Sequence, residues 1–359
     1  MTTSFHLVTP RDPLVARDGR PFGSGSGNRM HSLDWPLPAT LAGAVRTILG
    51  NGAGGRFEAE QIRELLKNSV HGPLPAFGNK LSFPIPKDFV SSATHGVFST
   101  KPKSVRGTNL AGTLMPAMIE NSPEEDFKTD SGSGFWPLDA TMKWLLEESA
   151  GFVAPKAMRC EPDLRTHVAI EAGSGAAEDE MLFQTSGLAF PDQLSLAVRV
   201  ESSSEFPKGP FLHPVGGERR LCHWSAQQPA GWVCPQCLAD RLPKVSRLRM
   251  ILATPAIFAN GWRPGWLGAD GTGQIPNSET RVRLVSAIVP RWQPVSGWSY
   301  EKKSQKPVRR MVAAGSVYFL EILDDSPRLD PGLWLSPVSD CPQDQRDGFG
   351  LAIWGLWKE

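Results

Sequence analysis

The chain has 359 residues, a formal net charge of only +1, 40 % hydrophobic residues and 21 % charged residues. These values fit a globular protein long enough for two domains and exclude a disordered chain. A near-neutral balance also argues against a protein that grips nucleic acid alone through a broad basic surface; it fits one basic face, with other faces turned to protein partners.

No apolar run approaches the length needed to cross a membrane, so no membrane partner is expected. The opening MTTSFHLV has no basic n-region and no apolar h-region, so no signal peptide is expected and a cytoplasmic location follows. An odd number of cysteines, 5, argues against a disulfide framework in that compartment. Gly 35 and Pro 32 imply many turns, and 12 Trp against 2 Tyr supplies large anchors for cores, interfaces or unpaired bases.

In chain order, Phe5 to Val8 is a short apolar strand. It leads into Arg17 to Thr47, RDGRPFGSGSGNRMHSLDWPLPATLAGAVRT. Thr40 is a candidate N-cap for a helix over 40–49, with Leu41, Val45 and Ile48 on one face. A Gly/Ser loop before a helix N-terminus offers unpaired N–H donors to a phosphate, and Arg17, Arg20, Arg29 and Arg46 surround it. The same loop also fits a plain flexible connector. It is not a Walker loop, because no Gly-Lys-Ser/Thr follows, and Gly23, Gly25 and Gly27 lack the third glycine of a dinucleotide fingerprint.

Glu58 to Asn68, with Ile62, Leu65 and Leu66 on one side, predicts a second helix. Residues 70–135, rich in Pro, Gly, Ser and Lys, predict a long surface insertion. Its Lys101, Lys103 and Arg106 are either phosphate contacts or solvated charge. Met142 to Leu146 is a short helix. Arg165 to Glu171 and Glu180 to Leu188 flank a turn at Ala172 to Gly175, which predicts a hairpin, and Leu194 to Val200 is a strand. This order suggests an α+β protein whose first domain, 1–205, is ferredoxin-like with an insertion at about 70–150. Strands at Leu248 to Ala259, Val282 to Pro290, Val308 to Leu323 and Leu351 to Trp357 suggest a second ferredoxin-like domain over 206–359, with a Cys-rich insertion at about 213–243.

That insertion holds Cys222-His223 and Cys234-Pro235-Gln236-Cys237. Three Cys and a His are the donors Zn²⁺ favours, with Cys222, Cys234 and Cys237 completed by His223 or by His213. Four protein ligands would close the shell, so the zinc would be structural. Reduced, partly buried thiols are the alternative.

No nucleophile elbow, HExxH or paired-carboxylate motif is present. Asp12, Asp18 and Asp34 suit turns and caps. His31 and His167 lie near arginines, but neither has an acid or base partner at a useful spacing. The chain is therefore expected to be non-catalytic.

RDGRPF, the Gly-rich loop and WPLPATLAGAVRT together resemble the N-terminus of a family of RAMP proteins. That family is the handle-binding subunit, third in naming order, of the Cmr complex, the type III-B CRISPR effector. Three later segments resemble it in the same order. They are Arg165 to Ile170 with Ala177-Glu178 and Leu182-Phe183, then Ala314 to Phe319, then Gly348-Phe349-Gly350 through Gly355. The cysteine cluster departs from the family pattern.

The resemblance implies an RNA-binding subunit that holds the repeat-derived 5′ handle of the crRNA, with the large polymerase-like subunit and the backbone RAMP subunits as partners. A single-stranded handle needs phosphate donors and faces for splayed bases. The candidates are Arg17, Arg20, Asn28, Arg29, His31 and Arg46 in the first loop and helix, and Arg159, Arg165 and His167 around the hairpin. Phe22, Trp35 and Trp136 are stacking candidates that also suit a core. Lys302, Lys303, Lys306, Arg309 and Arg310 are either a solvated face or a contact for RNA or an acidic partner. Two other readings stand beside this one: a RAMP endoribonuclease that processes guide precursor RNA through His31 or His167, and a zinc-stabilised interaction module with no RNA role.

Overall fold

The computed structural model describes residues 1–17, 28–50, 57–108, 110, 114–123, 126–130, 132–147, 152–299 and 301–358. The chain folds into two compact units. The first combines Met1–Pro73, Arg159–Gln227 and Pro294–Arg309; the second combines Leu74–Met158, Gln228–Gln293 and Arg310–Glu359. Each unit therefore draws on stretches that are far apart in sequence.

In the first unit the strands Phe211–Pro214, Leu221–Ala226, Thr2–Pro10 and Leu194–Ser202 lie side by side. The pairing is antiparallel, with Val8 opposite Leu196 on one side and opposite Trp224 on the other. Side chains alternate across a strand, so Val8, Leu196, Val198, Val200, Cys222 and Trp224 all reach one core. Helix α1 (Pro38–Gly50) closes that core with Leu41 and Val45, one turn apart, and with Ala42 beside them. The helix starts two residues before the predicted Thr40 cap. Proline is well suited to the first helical position, where its missing N–H has no intrahelical partner to lose. Thr40 instead lies inside the first turn, its N–H donating to Leu37 O at 2.9 Å. Helix α2 (Ala59–Leu66) follows, close to its predicted place.

The second unit is built on an antiparallel sheet in the order Thr272–Gln274, Arg281–Ile288, Val317–Ile322, Arg247–Leu252, Leu351–Leu356 and Ser336–Pro337. Its central strands are buried on both faces, as in Leu351–Leu356. Helix α3 (Leu138–Leu145) packs its C-terminal end on that strand. A Cβ on Gly355 would stand 2.7 Å from Leu145 Cδ2 and 3.0 Å from Leu145 O, so only glycine permits this approach.

The surface insertion expected over 70–135 is not what the chain forms. Val70, Leu74 and Ala76 in Ser69–Phe77, and Leu81 and Phe83 in Lys80–Pro84, are fully buried strand residues. The Gly and Pro of SVHGPLPAF suggest breakers, yet the strand is buried along nearly its whole length. Phe89, Trp136 and Trp144 form a core cluster of the second unit, with ring centroids 4.7 to 5.9 Å apart in edge contacts. The α+β class with antiparallel sheets agrees with the sequence reading.

Candidate nucleic-acid interface

The predicted hairpin is present in the first unit, longer than expected. Its strands are Glu161–Ile170 and Ala177–Ala189, paired antiparallel from Ala189 opposite Glu161 to Leu182 opposite Val168. One face carries Arg165, His167, Phe183 and Thr185. The His167 and Phe183 rings stack at 5.2 Å and 14°, and His167 Nε2 is 2.9 Å from Thr185 Oγ1. Arg165 Nε donates to Asp163 Oδ2 at 2.6 Å on the exposed surface. The other face carries Leu164, Thr166, Val168, Leu182 and Gln184. Leu164, Val168 and Leu182 are exposed there, as is Ile170 beyond them. A folded strand seldom leaves such a row in water without a ligand to cover it.

The first loop returns to the base of this hairpin. Asn28–Arg29 pairs parallel with Phe183 and Gln184, and Met30 N–H donates to Gln184 O at 2.8 Å. Ser32 bridges back to Arg17, and Leu33 N–H donates to Ala16 O at 2.7 Å. Gly216 and Gly217 hold the other side of this path. Gly217 N–H donates to Val15 O at 2.8 Å, and Gly216, at φ +74°, lies where a Cβ would stand 2.5 Å from that same oxygen. Arg17, Arg29 and His31 are exposed at this junction. The pairing register gives Arg29 the face of Gln184 and Thr166, opposite the face of Arg165 and His167. The structure thus joins Arg29, Arg165 and His167 at one small sheet and divides them between its two sides.

Other candidates are placed differently. Arg46 Nε donates to Leu65 O and Nη2 to Asn68 O, both at 3.2 Å, so its guanidinium caps the end of α2. Trp35 Nε1 donates to Pro73 O at 3.0 Å, and its ring packs on Phe190. Trp136 is 1 % exposed and is a core residue, not a stacking platform for RNA. Lys101 is held by Glu120 and Glu147 at 3.2 and 3.3 Å, which takes it out of the set of phosphate contacts; Lys103 and Arg106 are exposed. Arg159 is exposed just before the hairpin. Arg20, Phe22 and the Gly-Ser loop lie outside the described residues, and Asn28 is placed by its backbone register alone.

The sequence reading missed a pair elsewhere in the first unit, between a buried histidine and a partly buried arginine. Arg199 Nη2 donates to His71 Nδ1, and Arg199 Nε lies 3.2 Å from Glu201. Burial, with Arg199 second, lowers the His71 pKa to about 3, so the ring is neutral. No motif marks such a pair, because it is assembled across 128 residues of sequence.

The expected zinc ligands do not form a set. Cys222 and His223 are neighbours on one strand and point to opposite faces, Cys222 into the core and His223 into solvent. Of the two histidines considered, His213 is the cross-strand partner of Cys222. Cys222 Sγ instead lies 3.9 Å from Arg220 O, and burial pushes its thiol up to about 12. Cys234 is likewise raised to about 12, by burial and then by Cys237. Among the described residues no group of three or more His, Cys, Asp or Glu side chains is arranged to hold a metal ion. The donor set read from the spacing does not fit a Cys3His site here.

The order of the parts along the chain is more telling than any one of them. A first strand, a helix that closes its core and a hairpin that receives the chain at Asn28–Arg29 follow one another along the sequence. The family model for CRISPR-associated protein (Cas_Cmr3) matches residues 6–357, and the chain belongs to that family. The fold is similar to that of a chain in the cryo-EM structure of the Type III-B Cmr-beta bound to cognate target RNA and AMPPnP, state 1. The TM-score is 0.51 at 14 % identity, covering 88 % of this chain and 86 % of that one. The cryo-EM structure of the Type III-B Cmr-beta bound to cognate target RNA gives the same TM-score of 0.51 at 14 % identity, with the same 88 % and 86 % coverage. No match was found among curated proteins.

Proposed function

We propose that this chain is a non-catalytic, RNA-binding subunit of a type III-B CRISPR effector complex. It holds the repeat-derived 5′ handle of the crRNA and bridges the large polymerase-like subunit and the backbone RAMP subunits, using ferredoxin-like units as its frame. Family membership supports the assembly. The observation that carries the RNA role is the parallel pairing of Asn28–Arg29 with Phe183–Gln184. It brings the exit of the arginine-flanked loop to the hairpin that bears Arg165 and His167. A strand laid here meets guanidinium donors for phosphates and an open apolar face for splayed bases.

The His167 ring supports a binding role over a cleaving one. It stacks on Phe183 and shares a hydrogen bond with a threonine hydroxyl, and neither neighbour is a general acid or base at neutral pH. The test is co-purification from a reconstituted operon, with 5′-end sequencing of the bound RNA. Guides that share one short repeat-derived 5′ end are expected, and Arg17→Ala with Arg29→Ala should reduce their recovery. Protein recovered without RNA or other CRISPR subunits would sink the reading, and cleavage of repeat RNA by the purified chain would replace it with the endoribonuclease.

A further inference from the structure

A second basic element of the first unit lies far along the chain, in Pro294–Arg309. Trp298–Ser299 and Ser304–Gln305 pair as a small hairpin. Lys306 N–H donates to Gly297 O at 2.7 Å, and Lys302 N–H donates to Ser299 Oγ at 3.2 Å, which closes the frame. The turn presents Lys302 and Lys303 to solvent, and Lys306 is exposed beside it. Glu301 is the sole acid of the segment. Its carboxylate lies 3.9 Å from Arg63 of α2, which offsets its charge.

Trp298 is the most exposed tryptophan of the chain, at 56 %, while seven others, among them Trp136, Trp224 and Trp354, are buried. Its neighbours Ser296, Gly297, Ser299 and Gln305 are small or polar. None of these four adds to an apolar rim of the kind that excludes water around an aromatic anchor in a protein interface. A base needs only the open face of the ring, with cations beside it for the backbone.

We propose that this hairpin is a second, sequence-tolerant contact for single-stranded RNA, with Trp298 stacking on a base and Lys302, Lys303 and Lys306 on the flanking phosphates. It goes beyond the handle reading, because it needs no repeat sequence and uses none of the residues at the first hairpin. The test is fluorescence anisotropy of the full-length chain with a labelled oligouridine of about twelve nucleotides, a length within the usual span of one such site. Trp298→Ala should weaken binding about tenfold, and Trp298→Phe should restore most of it. The triple variant Lys302→Gln, Lys303→Gln, Lys306→Gln should flatten the dependence of log Kd on log salt by about 2, at roughly 0.7 per single-strand phosphate contact.

Unchanged affinity in Trp298→Ala with an unchanged salt slope in the triple variant would overturn the proposal. So would competition by polyglutamate as strong as that by RNA, together with indifference to Trp298→Ala, since that pattern marks an acidic protein partner. Arg165→Ala tests the handle reading separately through recovery of repeat-derived guides, and a null result there leaves the oligouridine measurement standing.

Discussion

Arg249 donates to Asp88 across 2.6 Å at a point where the two side chains are 3 % and 0 % exposed. Trp144 completes the group: its Nε1 donates to the second Asp88 oxygen at 2.9 Å, and its carbonyl accepts from Arg249 Nη2. Desolvation makes such a pair a poor source of net stability, but removing one partner strands the other charge. Asp88→Ala and Arg249→Met should each cost about 3–5 kcal/mol. Urea unfolding would measure this, and the double variant should cost far less than the sum of the two.

Acid should loosen the first unit before carboxylates titrate. Burial lowers His6 to about 4 and His71 to about 3, against about 6.5 in an unfolded chain. Each ring is neutral when folded, so its contribution is fully present above pH 6.5. It is lost as pH falls toward the folded value, at about 1.4 kcal/mol per pH unit per group. The urea midpoint should therefore drop between pH 7 and 5. A His6→Gln, His71→Gln variant should show a flatter profile, and a midpoint that rises on acidification would contradict the assignment.

The arginines of the candidate interface should separate by role. Arg165→Ala should reduce guide recovery and leave the melting temperature within the small range of surface changes, about 0.5 kcal/mol. Arg46→Ala should do the reverse, because its guanidinium satisfies Leu65 O and Asn68 O. A melt and an RNA-recovery assay on both variants decide the matter.

Gly355→Ala should destabilise the second unit by about 1–3 kcal/mol, the usual cost of overpacking. The added methyl meets the backbone of Leu145 as well as its side chain, so a rotamer change cannot relieve it. Thermal unfolding is the check, and a neutral result would mean that α3 can shift.

Thiol chemistry should divide the cysteines. Cys222 is buried and its pKa is raised to about 12, whereas Cys237 and Cys341 are exposed. Ellman's reagent should label Cys237 and Cys341 in the native protein within minutes, and Cys222 only after unfolding. Rapid native labelling of Cys222 would mean that this strand is not packed on the core.

Local pattern made much of this fold legible. The strand over Phe5 to Val8, the α1 stripe of Leu41, Val45 and Ile48, and the turn at Ala172 to Gly175 are short-range signals, and all are found where the sequence puts them. Two other readings part from the structure for different reasons. Residues 70–135 look like a loop because Gly and Pro punctuate them, and only distant partners reveal that Val70, Leu74, Leu81 and Phe83 are interior. The cysteine spacing suggests a metal site for the opposite reason. Spacing counts residues, whereas the alternation of a strand sends Cys222 and His223 to opposite sides. Of the candidate interface, Arg165 and His167 share a face by simple alternation. The register of Asn28–Arg29 on that hairpin depends on a fold that closes over 150 residues later and could not be read locally.

The division of the chain into interleaved stretches bears on how the protein is made. The first unit takes in Pro294–Arg309, so a growing chain has nearly all of itself synthesised before that unit has its last piece. The second unit waits longer still, for the strand Leu351–Leu356 at the centre of its core. Neither unit has its full set of stretches until most of the chain has been made, so neither can finish early on the ribosome as an N-terminal domain usually does. A truncation from the C-terminus removes part of a core instead of a module, and a nascent chain of this kind is exposed to premature association for most of its translation.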